Sequence, residues 1–388
     1  MNASAHQDWD PRSEAVQRDP CAAYDELREN CPVAYSDFLG WSLFRHEDIL
    51  RVLNDPDTFS SVVSSHVSVP NGMDCPEHTA YRKVIEPYFQ QNQMEEFEPQ
   101  CHAIAVDLID SLKKQDEVEL IGDFAHQFAV RVQCAFLGWP AAMHEPMYHW
   151  TTNNRRETFK GDRVAMTRIA GEFEGYVKEM LQMRRSANAD ACEDITANLM
   201  KQSVGGRPLL DEEIVSILRN WTVGEVGTIS SAVGLLVHHL ARHVDLQSQL
   251  RAQSSLVPNA IDEILRIHGP LISNRRVTKR AVEIGGRRIA AGQRISLIWI
   301  SANRDGRTFE NPGKFQLDRE PHDNLLYGAG IHVCPGAPLA RMELRVAVTE
   351  LLAHTASLEL VTAKPALVAT YPASGFESLP LRMLFRSF

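Results

Sequence analysis

Apolar residues three and four apart dominate the middle of the chain. Runs of that period near 94–114, 123–137, 161–184 and 211–243 predict helices, and the pattern from about 46 to 270 is mostly helical. It changes at 275–301, where apolar-rich runs flank the Gly-Gly turn at 285–286 and read as strands. A shorter hairpin is expected at 33–45, with Gly40 at its turn. A loop-rich stretch at 302–336 precedes one more helix at about 337–354, and short strands are expected near 357–361 and 379–385. The expected fold class is mainly α with a small β region (α+β), with a small sheet that uses both chain ends. No repeat, low-complexity tract or long linker breaks the pattern, so residues 1–388 are expected to form a single domain.

Composition removes several function classes. Hydrophobic residues make up 44% and charged residues 23%, as in ordinary globular proteins. Asp plus Glu number 50 against 40 Lys plus Arg, a formal charge of −10 that argues against a general nucleic-acid binder. The seven cysteines are an odd number with no C-x-x-C pair, which argues against a disulfide framework or a zinc site of that type and suits a reducing cytosol. The first ten residues lack a signal-peptide pattern, and no stretch approaches the ~18 apolar residues of a membrane span. A cytoplasmic protein without membrane attachment is expected.

The candidate chemistry begins at Tyr327-Gly-Ala-Gly-Ile-His-Val-Cys-Pro-Gly336. Glycines on both sides of Cys334 allow a tight loop whose backbone approaches a flat ligand closely. The following helix would aim its N-terminal N–H groups at the sulfur and favour a thiolate. A thiolate so placed could bind a metal, act as a nucleophile, or simply be buried.

This segment resembles the haem-binding loop of the cytochrome P450 family, F-G-x-G-x-H-x-C-x-G, in every position but the first, where Tyr327 replaces Phe. The resemblance implies haem b with Cys334 as its axial iron ligand, and Tyr327, Gly328, His332 and Gly336 as cofactor-binding residues. Other family motifs follow in the expected order over almost the whole chain. Glu263-Ile-Leu-Arg266 is similar to the family's E-x-x-R, and the segment 303–319 to the part that supplies a second arginine, Arg319. These three are expected to form a structural triad that locks the sheet to the haem loop. Asp74-Cys-Pro-Glu-His-Thr-Ala-Tyr-Arg82 resembles D-x-P-x-H-x-x-x-R, which puts His78 and Arg82 on one helix face toward the haem propionates. Arg276 aligns with the propionate-binding strand. Arg275 is its alternative, since strand alternation points only one of the two at the haem.

The 211–243 helix should be the family's distal helix, with Asp211 as a plausible N-cap. The family pattern there is A-G-x-[D/E]-T-[T/S], an acid followed by an alcohol. This chain reads Val223-Gly-Glu-Val-Gly-Thr228, so Val226 takes the acid position and Gly227 the alcohol position. Glu225 and Thr228 stand one residue to either side, about 60° apart on a helix. They are the expected substitutes, with Gly224 and Gly227 letting a flat ligand reach the backbone. Glu225 is an odd residue for an apolar helix centre unless it faces a polar cavity.

The resemblance implies a monooxygenase that hydroxylates or oxidatively dealkylates a small organic substrate. Its dioxygen chemistry would draw electrons from a separate ferredoxin and ferredoxin reductase, with Arg341 and Arg345 as candidates to meet the ferredoxin. The missing acid–alcohol pair raises a peroxide-driven peroxygenase or specialised oxidase as the alternative. A non-catalytic haem sensor is a third reading. Substrate contacts are expected from His66, Leu271, Ile272, Asn274 and Phe376, with Arg155 a further polar candidate.

Overall fold

The computed structural model describes residues 7–186 and 193–386. Residues 1–6 of the segment read for a signal peptide, and Cys192, lie outside the described residues.

Eight helices position the site: α1 (Glu77–Ile85), α2 (Gln91–Leu112), α3 (His126–Leu137), α4 (His144–Lys160), α5 (Arg163–Ser186), α6 (Asp211–Arg242), α7 (Val257–His268) and α8 (Ala337–His354). The expected run at 161–184 is the second of a pair, because Gly161 ends α4 in the left-handed conformation at φ 70°. The run at 123–137 opens as a π-helical turn, Ile121–Ala125, before α3 begins. Helices α2, α3, α6 and α8 pack side by side. The longest of them, α6, has buried residues on more than one side and so runs through the interior rather than over it.

The start of α6 differs from the expected cap. Leu210 holds the extended N-cap backbone, and Asp211 is the first helical residue. The Leu210 N–H donates at 2.8 Å to the carboxylate of Glu213, which stands in for the missing side-chain cap. Three acidic residues, Asp211, Glu212 and Glu213, then face the positive end of the helix dipole.

The strands near the two chain ends lie in two separate sheets where the sequence suggested a shared one. The hairpin Val33–Ser36 and Gly40–Leu43 joins Arg294–Ile298, Ser273–Thr278 and Phe59–Ser60 in a five-stranded sheet. The C-terminal strands Thr355–Leu360 and Pro380–Phe385 pair with each other and with Val118–Glu119. The expected strand through residue 301 stops at Ile298, where Trp299–Ala302 turns into a short helix. That turn lets the chain leave the sheet and return beneath the cysteine loop.

Candidate active site

The loop before α8 is tied to its own start. The Cys334 N–H donates to the Tyr327 carbonyl at 2.9 Å, and Asn324 caps the preceding turn through the Leu326 N–H. Two glycines are required here. Gly328 has φ 75°, and Gly330 has φ 68° with the Leu53 carbonyl so close that a Cβ would lie 2.3 Å from it. Gly336 lies directly before α8, and a Cβ on it would meet Phe89 at 3.6 Å and the Cys334 sulfur at 3.9 Å. Burial pushes the Cys334 thiol up, while the Gly336 and Ala337 N–H groups and the charges of Arg82 and Arg341 favour the thiolate. Arg341 also lies over the Tyr327 ring at 4.5 Å.

Around this loop the structure gathers four nitrogen-bearing side chains. His78, buried on α1, and His332 in the loop bring their rings to 4.1 Å. Among the described residues neither His78 nitrogen has a hydrogen-bond partner, nor does Nε2 of His332. Arg82 donates to the Val333 carbonyl at 2.8 Å and pairs with Glu86. Arg276 is 4% exposed and donates only to the Arg275 carbonyl at 2.7 Å. Strand alternation thus resolves the choice left open in the sequence: Arg276 points inward and Arg275 is exposed. Burial, then His78 and the two arginines, hold His332 down to about 3, and burial brings Arg276 down to about 10. Buried cations and unpartnered ring nitrogens together call for an anion.

The three residues of the expected triad meet. Arg266 donates to both Glu263 oxygens, at 2.7 and 2.9 Å, and Arg319 donates to the same carboxylate at 2.9 Å. Arg266 reaches on to the carbonyls of Asn303 and Pro312, so α7 is fastened to the segment that leads into the cysteine loop. Arg266 and Glu263 are both almost fully buried, and their hydrogen bonds satisfy one another.

On α6 the expected acid–alcohol substitutes separate. A Cβ on Gly224 or Gly227 would meet nothing within 4 Å, so both face open space rather than a neighbouring helix. Thr228 sits at the edge of that face, but its hydroxyl donates back to the Gly224 carbonyl at 2.6 Å. Val226 is buried. The carboxyl oxygens of Glu225 are enclosed and without hydrogen-bond partners among the described residues, as are those of Glu343 on α8. Burial, then the charge of Glu343, raises Glu225 well above the usual carboxylate range. Cys101 on α2 and Cys134 on α3 also feel its charge, and burial with that charge pushes Cys134 up to about 12. Glu225 therefore lies in the packed bundle, not on a polar cavity.

Comparison with known proteins decides the family. A family model for cytochrome P450 matches residues 158–359. Cyclomarin C epoxidase of Salinispora arenicola is 31% identical over 382 residues, 93% of this chain and 94% of that protein. The chain belongs to the cytochrome P450 family. Linalool 8-monooxygenase of Pseudomonas putida is 28% identical over 89% of this chain and 91% of its own. The structure of cytochrome P450 CYP109Q5 from Chondromyces apiculatus superposes with a TM-score of 0.88 at 27% identity, covering 98% of this chain and 99% of that one. This P450 is accordingly a monooxygenase-type oxidoreductase, and its family implies a haem iron held by a cysteine thiolate. The unpartnered ring nitrogens of His78 and His332, with the buried cation of Arg276, fit the carboxylates of such a group.

The substrate candidates of this P450 divide. Leu271 is 43% exposed, and Asn274 and His66 are exposed. Phe376 is buried against His238, ring centroids 4.6 Å apart, on the C-terminal half of α6. Ile272, just before the Ser273–Thr278 strand, is buried in the apolar cluster of Tyr24, Phe44 and Ile300. Arg341 and Arg345, the candidates to meet a ferredoxin, are ion-paired with Asp262 and Glu98. No helix among the described residues is long and apolar enough to cross a membrane.

Sequence reasoning took His66 from the 61–72 loop as a substrate candidate but missed how that loop is tied to α6. Ser216 Oγ donates to the Val67 carbonyl and accepts the Val69 N–H, Arg219 donates to Val67, and Asn220 donates to Val69. The signal was present in a polar triplet, Ser216, Arg219 and Asn220, at i, i+3 and i+4 of an otherwise apolar helix.

Proposed function

We propose that Cys334 is the thiolate ligand of haem b and that His78, Arg82, Arg276 and His332 hold its propionates. The supporting observation is the convergence of these four side chains on one region, where both His78 nitrogens and Nε2 of His332 lack a hydrogen-bond partner, and Arg276 an ion-pair partner, among the described residues. Residues 1–388 would act as one haem domain. Haem, once bound, supplies activation of oxygen and transfer of one oxygen atom to a C–H bond of a small organic substrate. The protein's own part is positional. Gly224 and Gly227 leave room beside the α6 backbone, the Gly336 and Ala337 N–H groups hold negative charge at sulfur, and the triad fixes the loop. Electrons would come from a ferredoxin and its reductase on separate chains, and the reaction would take place in the cytoplasm.

A second reading, a peroxide-driven enzyme, is favoured by one observation. Gly227 offers no alcohol, and the hydroxyl proton of Thr228 is held on the Gly224 carbonyl. Comparing product formed with a surrogate ferredoxin system against product formed with hydrogen peroxide separates the two. Faster, well-coupled turnover with the reductase supports the monooxygenase. Peroxide turnover that exceeds it supports the peroxygenase. Cys334→Ser tests both readings at once, because the reduced carbon-monoxide spectrum must lose its thiolate band.

A further inference from the structure

Between the 61–72 loop and the Ser273–Thr278 strand lies a cleft of about 170 Å³. Its polar walls include Ser64, His66 and Asn71 from the loop, and Asn274, Arg275 and Arg276 from the strand. Two arginines thus border it, and none of its lining residues is acidic. The nearest carboxylate that acts on Arg276 is Asp74, which is already engaged. It accepts from the Ser60 hydroxyl at 2.7 Å and the Ser61 N–H at 2.9 Å, and pairs with Lys279 at 2.9 Å.

The two arginines have different surroundings. Arg276 belongs, on the reading above, to the haem-facing set. The guanidinium of Arg275 has no hydrogen-bond acceptor or ion-pair partner among the described residues, and it sits in the same cleft beside hydroxyl, amide and imidazole groups. A planar guanidinium with neighbouring hydroxyls and amides matches a carboxylate, which accepts two parallel N–H bonds and leaves lone pairs for further donors. The opposite wall is already in place, because Ser216, Arg219 and Asn220 fasten the loop to α6. An anion entering the cleft therefore meets donors that need little further ordering.

We propose that Arg275, with the Ser64, His66 and Asn71 side of the loop, forms an anion subsite that anchors the carboxylate of an organic acid substrate. This rests on the reading of the adjacent space as a haem-thiolate active site. The apolar part of the acid would extend toward Leu271 and the glycine face of α6. The preferred substrates are then small carboxylic acids rather than their neutral relatives.

The experiment uses the haem-loaded enzyme and matched pairs of probes: 4-isopropylbenzoate with 4-isopropylbenzamide, and decanoate with decanamide. Binding is read by ferric spin-state titration and, independently of the haem, by calorimetry. For at least one pair the acid should bind more tightly than the amide, and Arg275→Gln should weaken that acid about ten- to a hundredfold while leaving the amide within about twofold. Haem content and the thiolate spectrum of Arg275→Gln should match the parent enzyme. Equal binding of acid and amide in both pairs, or equal weakening of both by the substitution, overturns the proposal. So does haem loss in Arg275→Gln, which would transfer Arg275 to the propionate set. A parent protein without a thiolate-ligated haem would instead overturn the active-site reading, and calorimetry would still report whether Arg275 selects acids.

Discussion

Glu225 of α6 and Glu343 of α8 interact through enclosed carboxyl groups, whose four oxygens have no hydrogen-bond partner among the described residues. Burial raises both, and the charge of Glu343 raises Glu225 further. Burial and the charge between them therefore favour the protonated form of the pair in the folded protein.

That pair makes stability depend on pH in a defined direction. Each carboxyl titrates higher in the folded chain than at its unfolded value near ~4.3. Its stabilising contribution is therefore complete below the unfolded value and is lost as pH rises toward the raised folded one. Glu225→Gln removes that dependence. Urea midpoints measured from pH 5 to 9 should fall less steeply for the variant than for the parent, with the gap in the variant's favour widening at high pH. Parallel curves would show that Glu225 is ionised normally.

Removing donors from the anion-binding region should loosen haem. On the proposed haem site, Arg276→Ala would leave a propionate without its buried partner, and a charge-assisted bond there is worth about 1.5–3 kcal/mol. Haem transfer to an acceptor apoprotein should speed up by about tenfold or more, while the helical circular dichroism stays unchanged. Unchanged transfer would place Arg276 outside the propionate contacts.

Glu263→Ala should be severely destabilising. It strands Arg266, which is 1% exposed, and deprives Arg319 of its acceptor. Breaking one side of a buried pair costs about 3–5 kcal/mol, so chemical denaturation should show a loss of that size or the protein should fail to accumulate. A loss below about 1 kcal/mol would mean the triad is dispensable.

The open side of α6 invites restoration of an alcohol. A Cβ at Gly227 meets nothing within 4 Å, so Gly227→Thr should fold normally, with a stability change under about 1 kcal/mol. Product formed per electron pair supplied by a reductase should rise relative to peroxide-driven product. Thr228→Ala should leave that ratio unchanged, because its hydroxyl is held by its own helix. A collapse of reductase-driven turnover in Thr228→Ala would identify Thr228 as the working alcohol instead.

The cysteine loop and the triad were legible because each is a local spacing whose chemistry is set by adjacent residues. The direction of Glu225 was not. At about 100° per residue it lies 100° from Gly224 and about 160° from Gly227, so the angle that joined it to Thr228 carried it off the open face. The presence of Glu343 opposite it depends on helix packing across more than a hundred residues of sequence. The packing of Ile272 was not legible either: its place after α7 suggested the pocket, while the cluster around Tyr24 that buries it is built from residues far away in sequence. The division between two sheets was invisible as well, since strand periodicity reports that a segment pairs and not with whom.

The close approach of Gly330 to the Leu53 carbonyl also sets an order of assembly. The cysteine loop is seated on backbone laid down some 280 residues earlier, and the strand pairing of Gly40–Leu43 with Arg294–Ile298 spans a similar separation. The early segment must wait for the late one, so the cysteine site is completed only after the long-range closures that make folding slow. A chain released from synthesis before that point would have formed most of its helices and still lack a seat for its cofactor.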